Sequence, residues 1–301
     1  MNDGYVLITR DCNNDCLFCS VPKREEYLSK DDIFTRIENL IKTGHTQITI
    51  SGGEPILHKN LYEIVSFIRS KGLTARVITN GTLLDKKIIN KLVMSGLNDI
   101  VFSIHSLDPS LSKTISANDE YDISKVLASL RYALSISSLG VCWNTTITGL
   151  NYKELPYIAK TISSEFKNIG VITLNFVDLS GNAANKKNND VNITYDLAEV
   201  YLYKAMQILK KNNIIFRAER IPLCYLVGFE DYSSDYNRFS GKESLNTVFT
   251  EGRVAETPGS DYVKASCCKA CYNNNICFGV HPRYAKNNGT GSLYPIFHKK
   301  K

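Results

Sequence analysis

The residues best equipped for chemistry are three thiols in the run Cys12-Asn-Asn-Asp-Cys16-Leu-Phe-Cys19, a C-x3-C-x2-C spacing. They follow an apolar run, Tyr5-Val-Leu-Ile8, that reads as a strand. Cys thiolates ligate iron–sulfur clusters, and a tight loop can bring three of them to one metal site. Three cysteines on a four-iron cube leave one iron without a protein ligand, where a small molecule can bind. Zinc competes, but a structural zinc site takes four ligands at shorter, paired spacings. No His or fourth Cys within the loop completes such a site. A second concentration of thiols comes late, at Cys224, Cys267, Cys268, Cys271 and Cys277. So many in one region imply a joint role.

A third feature lies between them. Gln47 to Ile50 reads as a strand and runs into Ser51-Gly52-Gly53-Glu54-Pro55. Glycines after a strand let the backbone turn sharply and offer N–H and C=O groups to a ligand. C-x3-C-x-aromatic-C, with Phe18 as the aromatic, followed one helix and one strand later by Gly52-Gly53-Glu54, resembles the signature of the radical S-adenosylmethionine (SAM) superfamily. The resemblance implies that Cys12, Cys16 and Cys19 hold a [4Fe-4S] cluster and that Gly52, Gly53 and Glu54 hold the methionine amino group of SAM. It places Ser103 and His105 near the SAM ribose and carboxylate, Asn144 as a polar contact, and Asn80 at the same end of the strands. One-electron cleavage of SAM would then yield a 5′-deoxyadenosyl radical that takes a hydrogen atom from an unactivated C–H; the cofactor supplies this step and the protein orients it.

The C-x2-C-x5-C spacing of Cys268, Cys271 and Cys277 resembles the second half of the SPASM domain of many radical SAM maturases. It departs from that pattern in having His281 where another Cys is expected, and a single upstream Cys224. The resemblance implies one auxiliary [4Fe-4S] cluster on Cys224, Cys268, Cys271 and Cys277, in a shortened, twitch-like region. A zinc site on the same four residues is the alternative. Cys267 is left as either an incidental thiol or a hydrogen-atom donor to a substrate radical. Were Cys224 not a ligand, it would take over that donor role.

The elements that must position these residues alternate along the chain. Helical spacing of apolar residues covers 31–43, 61–70, 83–94, 123–137, 152–166 and 195–211. Strand patterns cover 47–50, 75–79, 99–104, 141–147 and 171–177, with a short one at 214–218. Alternation of this kind predicts right-handed crossovers and a parallel sheet with ligands at the carboxyl ends of its strands. The family resemblance specifies an α/β fold, a partial (β/α)6 TIM-like barrel with a small cysteine-rich C-terminal extension. The expected division is a core over 3–215 and an auxiliary-cluster region over 216–301. Asn-rich residues 182–193 read as a surface loop covering the site. Strand alternation sets Cys142 and Trp143 on opposite faces, with Cys142 expected as a core thiol.

Composition narrows the functional class. Of 301 residues, 43% are hydrophobic and 22% charged, ordinary for a globular protein, and the net charge of +6 is scattered rather than gathered into a nucleic-acid-binding stripe. Such a surface suits an acidic partner such as a peptide or a flavodoxin- or ferredoxin-type reductant. No apolar run approaches membrane-spanning length. Nine cysteines without a secretory signal point to a reducing cytoplasm. The expectation is a radical SAM enzyme of oxidoreductase or isomerase type acting on a peptide by epimerisation, oxidation or crosslinking. A carbohydrate or aminoglycoside dehydrogenase or epimerase is the alternative within the class. An iron–sulfur or zinc regulatory protein without enzymatic activity is the alternative outside it.

Overall fold

The computed structural model describes residues 2–240, 247–250, 253–256 and 261–297. Strand β1 (Asp3–Thr9) leads through the cysteine loop to α1 (Lys30–Lys42). There follow β2 (Gln47–Gly52), α2 (Leu61–Ser70), β3 (Thr74–Thr79), α3 (Lys86–Met94) and β4 (Asp99–Ser103). Two helices, α4 (Pro109–Ser116) and α5 (Ile123–Leu134), separate β4 from β5 (Gly140–Ile147). Next come α6 (Leu155–Glu165), β6 (Ile172–Phe176), α7 (Tyr195–Lys211) and β7 (Phe216–Glu219). The chain closes with α8 (Ser234–Phe239), β8 (Thr247–Thr250), β9 (Arg253–Glu256) and α9 (Pro282–Asn288).

Seven strands, β1 to β7, pair in parallel in sequence order, and the sheet stays open rather than closing into a barrel. This is the expected partial TIM-like α/β fold. Two features exceed the expectation. β7 pairs with β6 from Ile172↔Phe216 to Asn175↔Glu219, so the sheet continues past the division expected at 215. Beyond β1, β8 pairs in parallel with β1, and β9 pairs antiparallel with β8 to form the edge, neither visible in the sequence pattern.

Local chemistry explains where the elements begin. Ser29 caps α1, accepting from the Asp32 N–H, while Asp31 and Asp32 in the first turn and Lys42 in the last complement the helix dipole. Asp108 caps α4, with Pro109 in its first turn and the Leu111 N–H donated to its carboxylate at 2.7 Å. That Asp-Pro start signal was available in the sequence, yet the helix falls outside the segments its periodicity marked.

Period-two alternation sorts the strand residues. Val77, Ile100, Phe102, Val141, Trp143 and Leu174 are buried in the core that joins sheet and helices. The intervening Ile78, Ser103, Asn144 and Asn175 line a cavity. Trp143 is wholly buried, its Nε1–H shared between the Ile104 carbonyl (3.2 Å) and Thr145 Oγ1 (2.8 Å). Cys142 faces the other way and is only half-buried, not the core thiol expected. None of the described helices is long and apolar enough to cross a membrane.

Candidate active site

Gly52 and Gly53 set the position of the cysteine loop. Gly52 sits at φ +138°, and a Cβ there would lie 2.1 Å from the Thr9 carbonyl oxygen; a Cβ on Gly53 would lie 2.0 Å from that of Asp11. Without side chains, the turn docks directly on the backbone entering the loop. Gly53 N–H donates to Thr9 O (2.7 Å) and Glu54 N–H to Asp11 O (2.8 Å). The end of β1 is thereby stitched to the end of β2 just before Cys12.

Three further elements hold the loop. The last turn of α4 offers carbonyls that α-helices leave unpaired: Asp15 N–H donates to Ser116 O and Leu17 N–H to Ile115 O, both at 2.9 Å. Asn80, after β3, donates its Nδ2–H to Asn13 Oδ1 (2.9 Å) and lies 3.8 Å from the Cys12 sulfur. Helical turns at 181–184 and 186–191 cover the loop from the other side. Asn182 donates its N–H to Cys19 O (2.8 Å) and its Nδ2–H to Asp15 Oδ1 (2.8 Å) and Cys16 O (3.0 Å). Residues 182–193, expected as a surface loop over the site, are thus an ordered cover bonded to the loop itself. Asn182 was not singled out in the sequence; an Asn-rich run carries no signal for which amide reaches the site.

The three thiols and the strand ends line one cavity of about 210 Å³. Phe18, Gly52, Gly53, Asn80, Ser103, His105 and Asn144 are on its wall, so seven of the eight residues expected to contact the cofactor are brought together. Ser103 and Asn144 are direct neighbours in the β4–β5 register. Glu54 is the eighth and is not on the wall. It is wholly buried behind the turn, where its carboxylate accepts from Thr79 Oγ1 (2.9 Å), Ile56 N–H (3.0 Å) and Asn80 N–H (2.8 Å). Burial pushes its pKa up to about 7 against these three donors. In this geometry Glu54 braces the Gly-Gly turn and Asn80.

His105 stands edge-on to Phe18, ring centroids 4.6 Å apart. Its Nδ1 accepts the Thr146 N–H at 3.1 Å, which leaves the proton on Nε2. Burial lowers its pKa to about 3, so the ring is neutral and serves as a hydrogen-bonding wall rather than a cation. Burial likewise raises the thiol pKa values, Cys12 to about 11, with Cys16 and Cys19 also pushed up. Metal binding must displace those protons.

The second group of cysteines meets at a separate, narrow cavity. Cys224, Cys268, Cys271 and Cys277 all line it, with Lys264 and Tyr294. Backbone N–H groups already point at two of the sulfurs: Ile296 at Cys271 (3.3 Å) and Gly279 at Cys277 (3.4 Å). Such N–H···S contacts are those that cluster-bound thiolates receive and that tune cluster potential. Among the described residues, no three His, Cys, Asp or Glu side chains are gathered tightly enough for a single metal ion.

Cys267 lines neither cavity; its thiol is directed at the Leu293 carbonyl at 3.4 Å. Cys224 lies among the other three thiols. His281, where the SPASM pattern has a Cys, caps α9 by accepting the Arg283 N–H.

An open parallel sheet with a three-cysteine loop and a glycine turn over its carboxyl end defines an α/β enzyme core built around a metal cluster. The radical SAM superfamily pattern matches residues 6–162, and the chain belongs to that superfamily. Its cofactors are accordingly a [4Fe-4S] cluster and SAM. Among curated proteins, the chain is 29% identical over 199 residues to a probable GTP 3′,8-cyclase of Saccharolobus solfataricus, covering 64% of this chain and 62% of that one. A probable GTP 3′,8-cyclase of Methanocaldococcus jannaschii is 29% identical over 157 residues, 51% of this chain and 52% of that one. The chain thus spans less than two thirds of the length of these relatives. Among solved structures, Streptococcus suis SuiB bound to S-adenosylmethionine superposes with a TM-score of 0.66 at 15% identity, over 97% of this chain and 76% of SuiB. anSMEcpe with bound AdoMet gives 0.64 at 15% identity, over 98% and 89%. At such identities these structures attest the fold.

Proposed function

We propose that Cys12, Cys16 and Cys19 each ligate one iron of the [4Fe-4S] cluster and that SAM occupies the adjoining cavity. The Gly52–Gly53 turn would hold its methionine amino group, Ser103 and His105 its ribose and carboxylate, and Asn144 would give a further polar contact. When bound, the reduced cluster would give one electron to SAM, releasing methionine and a 5′-deoxyadenosyl radical that would take a hydrogen atom from the substrate. The chain's part is to fix the cluster loop, to keep His105 neutral against the ligand, and to exclude water with Phe18 and the 181–191 cover.

A second [4Fe-4S] cluster is proposed on Cys224, Cys268, Cys271 and Cys277. Four thiolates would leave it no open iron, which suits it to accept an electron from a substrate radical rather than to bind the substrate. Oxidation or crosslinking is therefore favoured over epimerisation, and an electron-delivery partner of flavodoxin or ferredoxin type suits the net charge of +6. The expected domain division becomes a core over 3–215 and a cluster-bearing region over 216–301, with β7 as the strand that ties the second to the first. Parts of that region lie outside the described residues.

The substrate proposed is a peptide. The convergence of four cysteines from two distant segments at one cavity supports the second cluster and is common to both substrate readings. In support of a peptide, a fold similar to this one over 97% of the chain is that of SuiB, solved bound to its precursor peptide SuiA. The relatives named GTP 3′,8-cyclase favour a second reading, a ribonucleoside triphosphate. Anaerobic assay of 5′-deoxyadenosine with GTP, with candidate peptides and with neither separates them. Peptide-dependent release with a mass loss of about two hydrogens supports the first reading; GTP-dependent release with a cyclised nucleotide replaces it.

A further inference from the structure

The cavity has one side that the cysteine and glycine motifs leave unexplained. Asp178, just after β6, and Arg220, just after β7, both line it. Arg220 has φ +59°, the left-handed region where a Cβ crowds its own carbonyl and where glycine or asparagine is usual. The fold holds it there from both sides. Its N–H donates to Asp235 Oδ2 (2.9 Å), and its carbonyl accepts the hydroxyl of buried Tyr195 (2.8 Å). The strained backbone fixes the direction in which the Arg220 side chain leaves the sheet, and its ion pair with Asp178 holds the guanidinium.

Its side chain is only partly engaged. Arg220 Nη1 lies 3.3 Å from Asp178 Oδ2, and Arg283 Nη1 lies 2.8 Å from the same oxygen. Two guanidinium groups thus share one carboxylate oxygen, while Asp235, which also faces Arg220, shares the Arg238 guanidinium with Glu219. A guanidinium carries five donors, more than this pairing uses. The other oxygen, Asp178 Oδ1, is buried without a hydrogen-bond partner, and so is Asn175 Oδ1 on the same wall. Orphaned buried acceptors are uncommon in folded proteins and call for an occupant.

We propose that Arg220, backed by Arg283, binds an anionic group of the substrate, a carboxylate or a phosphate. Asp178 Oδ1 and Asn175 Oδ1 accept an adjacent ammonium or hydroxyl. The inference rests on the reading that this cavity holds SAM and substrate together.

The test is calorimetric titration of anaerobically reconstituted protein saturated with S-adenosylhomocysteine, using tripolyphosphate and, separately, N-acetylglycine. One of the two anions should bind saturably; tripolyphosphate would mark a nucleotide-type substrate, N-acetylglycine a carboxylate such as a peptide's. Arg220→Gln should weaken that anion roughly 10- to 100-fold, the span of a charge-assisted hydrogen bond. Arg220→Gly, which suits the left-handed backbone, should show the same loss with an undiminished melting temperature. Asp178→Asn should tighten the anion, because it removes the competing negative charge, whereas a purely structural role would weaken it. The proposal is overturned if neither anion binds, if Arg220→Gln binds as tightly as wild type, or if Asp178→Asn weakens binding. Wild-type binding of S-adenosylhomocysteine and cleavage of SAM are measured alongside. Their absence would sink the cofactor reading itself, whereas their presence with Arg220-independent anion binding would sink this inference alone.

Discussion

The two cysteine sites are built in opposite ways. Cys12, Cys16 and Cys19 fall within one short loop, clamped by β2, by the last turn of α4, by Asn80 and by Asn182. The second site is gathered from Cys224, in the turn Leu223–Tyr225, and from Cys268, Cys271 and Cys277 more than forty residues later. Its segments are joined by fewer ties, such as the Tyr294 hydroxyl donating to Cys224 O at 2.6 Å. A loop fixed by the fold is ready for its cluster before the cluster arrives. A site joined across a long chain separation recovers loop-closure entropy only when metal crosslinks it. The first site is thus positioned by protein, and the second is one that metal helps to close.

The sharpest way to break that contrast is Cys224→Ala. It should remove about half of the iron, on two four-iron clusters, and lower the melting temperature of the holoprotein. Unchanged iron content would detach Cys224 from the second site. Gly53→Ala attacks the first site instead. Its Cβ meets Asp11 backbone oxygen at 2.0 Å, with no flexible side chain to yield. Denaturant melts of the metal-free protein should show a loss of roughly 3 kcal/mol, at the upper end of overpacking costs. An undisturbed melt would mean that the turn is not the clamp. Asn182→Ala removes two side-chain hydrogen bonds to the loop and should cost about 1–2 kcal/mol, read as faster iron release to a chelator. Release at the wild-type rate would return the 181–191 segment to the role of a passive cover. The smallest effect belongs to Cys267→Ser: within about 0.5 kcal/mol in stability and with full iron content. Lost iron there would make Cys267 a ligand.

The legible and illegible parts of the molecule divide along the same line. The cysteine loop, the glycine turn, Asn80 and His105 could be placed because each follows a strand, and parallel α/β sheets gather strand ends on one side; Ser103, in the last position of β4, and Asn144, within β5, were placed by family resemblance. The grouping of Cys224 with Cys268, Cys271 and Cys277 was legible through family spacing. Glu54 was placed against the cofactor by motif, whereas its buried bonds to Thr79, Ile56 and Asn80 put it behind the turn. Arg220 had no signal at all. Its left-handed backbone depends on Asp235 and Tyr195, 15 and 25 residues away, and no local propensity encodes such a contact. β8 was missed because a strand of four residues shows too little periodicity to register.

The most direct test of two clusters on one chain is iron and sulfide content after anaerobic reconstitution, for wild type and for a Cys12/Cys16/Cys19→Ala triple variant. The account predicts about eight irons in the first and about four in the second. Four in the wild type and none in the variant would contradict it, leaving the C-terminal cysteines without a cluster.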